Sequence, residues 1–154
     1  MLRRLVILIA LCFSQVSFAY QQGDTLSPVA EEQLNLNQDA LTIVDFFAEW
    51  CVSCRHELPE VNELYQELEG TGITVVGVDV DEDIEVGRAF QKSLGLSFPV
   101  INDTEQTLIG DFKPIGMPAL YYLYQGQVIK VRFGAINDIR EVILRDLREM
   151  GVEI

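Results

Sequence analysis

Two cysteines separated by two residues, Cys51 and Cys54, have the types and spacing that most directly predict chemistry in this chain. They follow an apolar, β-branched segment at 41–48, and a helix is predicted to begin beside them. A thiolate at a helix start is stabilised by unpaired amides and by the positive end of the helix dipole. Such a thiolate can attack a disulfide, and a second thiol one turn along can then resolve the mixed disulfide. The spacing therefore predicts thiol–disulfide exchange, with Cys51 attacking and Cys54 resolving.

Other uses of a cysteine pair fit the sequence less well. A structural zinc site needs about four ligands, and near the pair the chain offers only one histidine, His56. Haem attachment needs a histidine directly after the second cysteine, where this chain has Arg55. The loop that the pair would close is too short to stabilise a fold much. Copper(I) can use two thiolates, so a copper carrier stays open as an alternative.

The N-terminal 19 residues have the order of a secretory signal peptide. Arg3 and Arg4 give a positive start, 5–13 is apolar, and small residues stand at Ser17 and Ala19. We expect cleavage after Ala19 and an exported protein in the periplasm or an equivalent compartment, with an uncleaved membrane anchor at 5–19 as the alternative. Cleavage would also remove the third cysteine of the chain, which leaves only the close pair.

The charge balance is strongly acidic. The chain has 24 acidic against 11 basic residues and a net charge of −13. Without Arg3 and Arg4, nine basic residues remain and the net charge is about −15. Such a surface repels nucleic acid, so nucleic acid is excluded as a partner.

The apolar pattern predicts an α/β fold with a central mixed sheet covered by helices on both faces. Residues 20–40 are polar, and we expect a surface lead-in with little regular structure before a domain at 41–150. Asn137 is predicted to cap the last helix, and Pro59 to kink the first. The expected strands are 41–48, 73–80, 98–101, 119–124 and 128–133, and the expected helices are 52–69, 84–94, 104–111 and 137–150.

Two stretches carry a resemblance to the thioredoxin superfamily. "VDFFAEWCVSC", with Trp50 before the first cysteine and Pro59 after the second, resembles its active-site signature. "GMPALYYLYQGQVI" resembles its second signature, in which Pro118 matches the cis-proline. A central insert at about 87–113 and the acid at Glu57 are similar to the exported branch related to ResA, TlpA and DsbE/CcmG. A peroxiredoxin is disfavoured, because the threonine-containing motif before its peroxide-attacking cysteine is missing.

This resemblance implies a thioredoxin-like fold with a TlpA/ResA-type central insert, and it implies roles for further residues. Asp45 matches the buried acid beneath the second cysteine, where it would take the proton of Cys54. Glu57, one turn after Cys54, could serve instead, or could be an exposed helix carboxylate paired with Arg55 or Arg145. The substrate-binding residues implied are Trp50, Met117 and Pro118, the last after a cis peptide that lets Met117 pair with an extended peptide.

The implied function is an exported thiol-disulfide oxidoreductase that reduces envelope proteins such as apocytochrome c. Its partners would be protein disulfides and dithiols, with a membrane thiol reductant of the DsbD/CcdA type as electron donor. No cofactor is expected beyond the redox-active Cys51–Cys54 disulfide, and no metal. Two alternatives stay open: a thiol oxidant acting in disulfide formation, and a non-enzymatic copper(I) carrier.

Overall fold

A computed structural model describes residues 18–152 of the chain. The predicted signal peptide lies outside the described residues except for its last two positions, 18 and 19. No helix between residues 18 and 152 is long and apolar enough to cross a bilayer. The elements of this part, in chain order, are α1 (Pro28–Leu34), β1 (Leu41–Phe47), α2 (Val52–Glu67), β2 (Ile73–Asp79), α3 (Ile84–Leu94), β3 (Val100–Asn102), α4 (Thr107–Phe112), β4 (Ala119–Tyr124), β5 (Gln127–Phe133) and α5 (Ile139–Glu149).

The strands form one mixed five-stranded sheet in the order β3-β2-β1-β4-β5. β1 pairs in parallel with β2 and antiparallel with β4. β2 pairs in parallel with β3, and β4 pairs antiparallel with β5. The predicted mixed sheet is thus confirmed, with β1 at its centre. The segment 87–113, expected as an insert, supplies most of α3, the edge strand β3, and α4.

Strand β1 is buried along its whole length, which accounts for its almost continuous apolar sequence. Its alternating side chains serve two cores. Ile43 and Phe47 pack against α2, α3 and α5 on one face of the sheet. Val44 and Phe46 pack against α1 and α4 on the other. The strand that leads into Cys51 is therefore held from both sides.

The expectation of little regular structure in the lead-in is wrong. The Ser27 side chain accepts a hydrogen bond from the Ala30 amide and caps α1, whose Ala30 and Leu34 are buried. Thr25 forms a β-bridge with Gln127 of β5. A helix of seven residues that buries only two apolar side chains gives too little periodicity to be seen in the sequence. Its burial comes from packing against α4, which is distant in the sequence.

The predicted cap of the last helix is also wrong. α5 begins at Ile139 after Asp138, and Asp138 makes no side-chain capping bond. The carboxylate of Glu60 on α2 instead accepts a hydrogen bond from the amide of Arg140, at 3.3 Å. A tertiary acceptor thus satisfies a helix-start amide that a local cap would otherwise serve.

Candidate active site

The cysteine pair lies where β1 ends and α2 begins. Cys51 is the N-cap of α2, and Cys54 is in its first turn. The two are joined as a disulfide, with an S–S distance of 2.06 Å and Cα atoms 5.3 Å apart. Cys51 is 6% exposed and Cys54 is fully buried. Cys51 is thus the more exposed residue of the pair, as an attacking thiol requires.

The start of α2 surrounds the Cys51 sulfur with hydrogen-bond donors. The Cys54 amide donates to Cys51 Sγ at 3.2 Å, and Ser53 Oγ lies 3.6 Å from the same sulfur. Donors so placed favour negative charge on Cys51 when the disulfide is open. The dipeptide between the cysteines thus contributes both a helix turn and a hydroxyl.

Pro118 precedes β4, at the end of that strand that faces the end of β1 leading to the cysteines. The Met117–Pro118 peptide is cis, as predicted. The last pair between β1 and β4 is Phe46 with Ala119. Pro118 stands one position beyond this pair, at the end of the sheet where β1 leads to Cys51. The Pro118 carbonyl accepts a hydrogen bond from Gly134 at 2.9 Å, which fixes this end of β4 to the end of β5.

An open cleft of about 560 Å³ lies next to the cysteine loop and is lined by Trp50, the residue before Cys51. The predicted substrate contacts Trp50 and Met117 both line it, together with Ile115. Trp50 is 62% exposed and Ile115 is 79% exposed, although both are large apolar side chains. Asp81 and Glu82 add negative charge to the wall. The cleft offers apolar contact and acidic groups to a chain that approaches Cys51.

Asp45 is buried inside the sheet, on the same face as Cys54. It is 3% exposed and lies between Val44 and Phe46 in β1. Burial raises the pKa of Asp45 well above its ordinary value, and the charge of Glu57 raises it further. A carboxyl with a raised pKa binds a proton more readily than an exposed one and can serve in proton transfer.

Glu57 is the second buried carboxylate near the pair, and it is 8% exposed. Burial raises the pKa of Glu57 to about 7, although a hydrogen bond from the Ile136 amide, at 2.8 Å, lowers it in part and the Glu60 charge raises it. The alternative of an exposed helix carboxylate paired with Arg55 or Arg145 is therefore wrong. Arg55 pairs with Glu49, at 3.0 Å.

Two acidic residues near the site were not singled out in the sequence. Asp79 ends β2 and Asp81 follows two residues later; they are 1% and 7% exposed. The Asp81 carboxylate accepts a hydrogen bond from the amide of Glu49, two residues before Cys51, at 2.8 Å. The run "VDVDED" marks the end of a strand, but it gives no sign that one of its acids reaches the neighbouring loop.

Within the described part of the chain, no three histidine, cysteine, aspartate or glutamate side chains gather into a group that could hold a metal ion. The cysteine sulfurs are bonded to each other. The chemistry that this arrangement can perform by itself is the opening and closing of that disulfide.

Comparison with known proteins places the chain in a defined family. The AhpC/TSA family model matches residues 17–132. Over 96 residues the chain is 28% identical to the thiol-disulfide oxidoreductase ResA of Bacillus subtilis, which covers 62% of this chain and 54% of ResA. The matched region is thus about half the length of that relative.

Solved structures share the fold. A protein described as the thiol:disulfide interchange protein DsbE of Chlorobium tepidum superimposes with a TM-score of 0.68 at 22% identity, over 73% of this chain and 80% of that one. StoA from Bacillus subtilis superimposes with a TM-score of 0.61 at 25% identity, over 68% of this chain and 83% of StoA. The thioredoxin-like fold expected from the two sequence signatures is confirmed.

Proposed function

Because the chain belongs to the AhpC/TSA family, we propose that it is a thiol-disulfide oxidoreductase that acts through Cys51 and Cys54. The observation that carries this proposal is the disulfide itself, which joins an N-cap sulfur to a fully buried one above two buried carboxyls. The relatives named thiol-disulfide oxidoreductase support it.

The exchange starts from the reduced protein. The Cys51 thiolate attacks one sulfur of a client disulfide, a new S–S bond forms, and the other client sulfur leaves as a thiolate that takes up a proton. Cys54 then loses its proton and attacks the Cys51 sulfur. The Cys51–Cys54 disulfide closes and the second client thiolate leaves and is protonated. The client gains two electrons and two protons, and the protein loses them.

A buried thiol needs a proton acceptor before it can attack. Asp45 is our first candidate for this acceptor of the Cys54 proton, because burial among apolar side chains raises its pKa well above the ordinary value. Glu57 is the second candidate, since burial raises its pKa to about 7. The Ile136 amide donates a hydrogen bond to the Glu57 carboxylate, and this bond is stronger when Glu57 is ionised. The bond therefore favours a structural role for Glu57 over proton transfer.

The client is a polypeptide rather than a small thiol. Trp50, Ile115 and Met117 offer an apolar surface beside Cys51. The Met117 backbone precedes the cis-proline just before β4 begins, where an extended segment can pair with it. Trp50, Met117 and Pro118 are therefore assigned to substrate binding.

The direction that we propose is reduction, in an exported protein. The support is the Glu57 position, the segment 87–113, and similarity to ResA and DsbE. Apocytochrome c, whose haem-binding cysteines must be reduced, is the client class proposed. A membrane thiol reductant of the DsbD/CcdA type would restore the Cys51 and Cys54 thiols after each cycle.

The reduction potential tests this proposal. The protein from Tyr20 onward is equilibrated with glutathione and dithiothreitol buffers, and its thiols are counted by alkylation. A potential near that of thioredoxin, about −270 mV, supports a reductant. A potential near −120 mV would make the protein an oxidant of folding clients.

Single-cysteine variants test the pair itself. Cys51→Ser should abolish reduction of a protein disulfide such as that of insulin. Cys54→Ser should stop after one step and accumulate the mixed disulfide at Cys51. Full activity in either variant would overturn the mechanism, and tight stoichiometric copper(I) binding without exchange activity would favour a metal carrier.

A further inference from the structure

Three side chains form a hydrogen-bonded series that runs from α3 to the active-site loop. Gln91 Nε2 donates to Asp79 Oδ2 at 2.7 Å. The Asp81 amide donates to Asp79 Oδ1 at 2.9 Å. The Glu49 amide donates to Asp81 Oδ2 at 2.8 Å. The series thus ends two residues before Cys51.

The inner end of this series is rigid. Asp79 is 1% exposed, and both of its carboxylate oxygens accept hydrogen bonds. A Cβ atom at Gly87 would come within 2.6 Å of Asp79 Oδ2, so a larger residue there would have to displace the Asp79 carboxylate. Gln91 is held in turn, because its amide nitrogen also donates to Asn102 Oδ1 at 2.8 Å. These contacts therefore restrict the Asp79 carboxylate to a single position.

The outer end acts on the segment that carries the attacking sulfur. The Cys51 amide donates to the Ala48 carbonyl at 3.2 Å, which closes a tight turn over 48–51. The Glu49 amide lies within that turn and points to Asp81. Asp81 and Trp50 line the same cleft, so one contact fixes the turn on the side where a client would lie.

We propose that Asp81 is a positioning residue for thiol–disulfide exchange: held by Asp79, it fixes the turn before Cys51 through the Glu49 amide. The hydrogen bond, and not the negative charge, performs this role. Without it the turn has more conformations, and fewer of them present the Cys51 sulfur in line with an incoming disulfide. The inference rests on the proposed exchange activity.

Two substitutions separate the hydrogen bond from the charge. Asp81→Asn keeps an oxygen that can accept from the Glu49 amide, whereas Asp81→Ala removes it. The rate at which the reduced protein reacts with bis(2-hydroxyethyl) disulfide is measured by stopped flow. This neutral probe is small, so its rate does not depend on contacts with the cleft lined by Trp50 and Met117. We expect Asp81→Ala to react about tenfold more slowly than the wild type, and Asp81→Asn to stay within about threefold. Asp83→Ala removes the same charge from the exposed N-cap of α3 and should react like the wild type.

Hydrogen exchange of the Glu49 amide gives a readout that does not depend on activity. The amide should be protected in the wild type and in Asp81→Asn, and should exchange at least about tenfold faster in Asp81→Ala. If Asp81→Ala does not fold, the protection of the Glu49 amide in the wild type and in Asp81→Asn tests the inference without it. A Glu49 amide that is unprotected in the wild type would overturn the inference.

The remaining outcomes distinguish failure of the positioning role from failure of the proposed function. A wild-type rate for Asp81→Ala, or equal losses for Asp81→Ala and Asp81→Asn, would overturn the positioning role and leave the proposed function intact. A wild-type protein whose reduced cysteines do not react with the disulfide probe would overturn both.

Discussion

Asp45 on β1 and Glu57 on α2 interact inside the protein: the charge of Glu57 raises the pKa of the buried Asp45 carboxyl. Both carboxyls are buried on the sheet face that also holds Cys54. Two buried acids whose charges interact do not ionise independently, and the raised pKa of Asp45 favours its protonated form. Asp45 and Glu57 are therefore our two candidates for exchanging a proton with Cys54.

Asp45→Asn should slow the resolving step by about 100-fold, since a positioned general base contributes at least that much. Glu57→Gln should slow it less than about tenfold. The measurement is single-turnover release of a fluorescent peptide from the Cys51 mixed disulfide. Glu63→Gln, on the exposed face of α2, is the control and should release the peptide at the wild-type rate. A large loss in Glu57→Gln together with a normal rate in Asp45→Asn would transfer the role to Glu57.

The stability of the oxidised protein should depend on pH through Glu57. Its folded-state pKa of about 7 lies above the ordinary 4.5, so the folded state binds the proton more tightly than the unfolded state. The contribution of Glu57 is therefore fully present below about pH 4.5 and is lost as the pH rises through about 7.

Urea unfolding at several pH values between 4.5 and 7.5 measures this effect. The free energy of unfolding of the wild type should fall over this range by on the order of 1–3 kcal/mol from this group. Glu57→Gln cannot titrate, so its curve should be flatter, whereas Glu63→Gln should keep the wild-type slope. Parallel curves for wild type and Glu57→Gln would contradict the assignment.

Asp146 should stabilise the fold with the opposite pH dependence. It is fully buried on α5, accepts a hydrogen bond from Tyr122 Oη at 2.7 Å, and pairs with Lys130 and Arg132 of β5. The cationic partners and the Tyr122 hydrogen bond outweigh burial and lower the pKa of Asp146 to about 2. Its contribution is present above the ordinary value of 3.8 and is lost as the pH falls through about 2.

Asp146→Asn should therefore destabilise the protein by about 1–3 kcal/mol at pH 7, and by less as the pH approaches 2. Thermal unfolding at pH 7 and pH 2.5 measures the difference. Glu149→Gln removes an exposed partner of Lys130 and should change the melting temperature little. An equal effect of Asp146→Asn at both pH values would show that its charge is not the stabilising property.

Alanine substitutions at two glycines should change the free energy of unfolding in opposite directions. A Cβ atom at Gly77 in β2 would lie 2.7 Å from a ring carbon of Phe47 and 2.8 Å from one of Phe98. Gly77→Ala should therefore cost about 1–3 kcal/mol. Gly110, in α4, has open space around its Cβ position, so Gly110→Ala should stabilise by up to about 1 kcal/mol. Urea midpoints test both, and a destabilising Gly110→Ala would contradict the packing described.

The sequence alone determined the chemistry-bearing pair and most of the fold. Cys51 and Cys54 are local in sequence, and a strand directly before them and a helix directly after them follow from local apolar patterns. α3 and β4 were predicted with their observed bounds, since each has a clear pattern and a clear end, such as Gly95 after α3. The cis peptide before Pro118 was predicted from the resemblance.

The tertiary structure decided the contacts between residues far apart in the chain. The buried Glu57 carboxylate accepts its hydrogen bond from the Ile136 amide, 79 positions later in the chain. α1 forms because α4 covers it, and α5 begins without a local cap because Glu60 reaches its first turn. Asp81 reaches the active-site turn because parallel pairing places the ends of β1 and β2 side by side. A carboxylate satisfied by a distant amide looks the same in the sequence as one exposed to water, because the partner that distinguishes them is supplied only by folding.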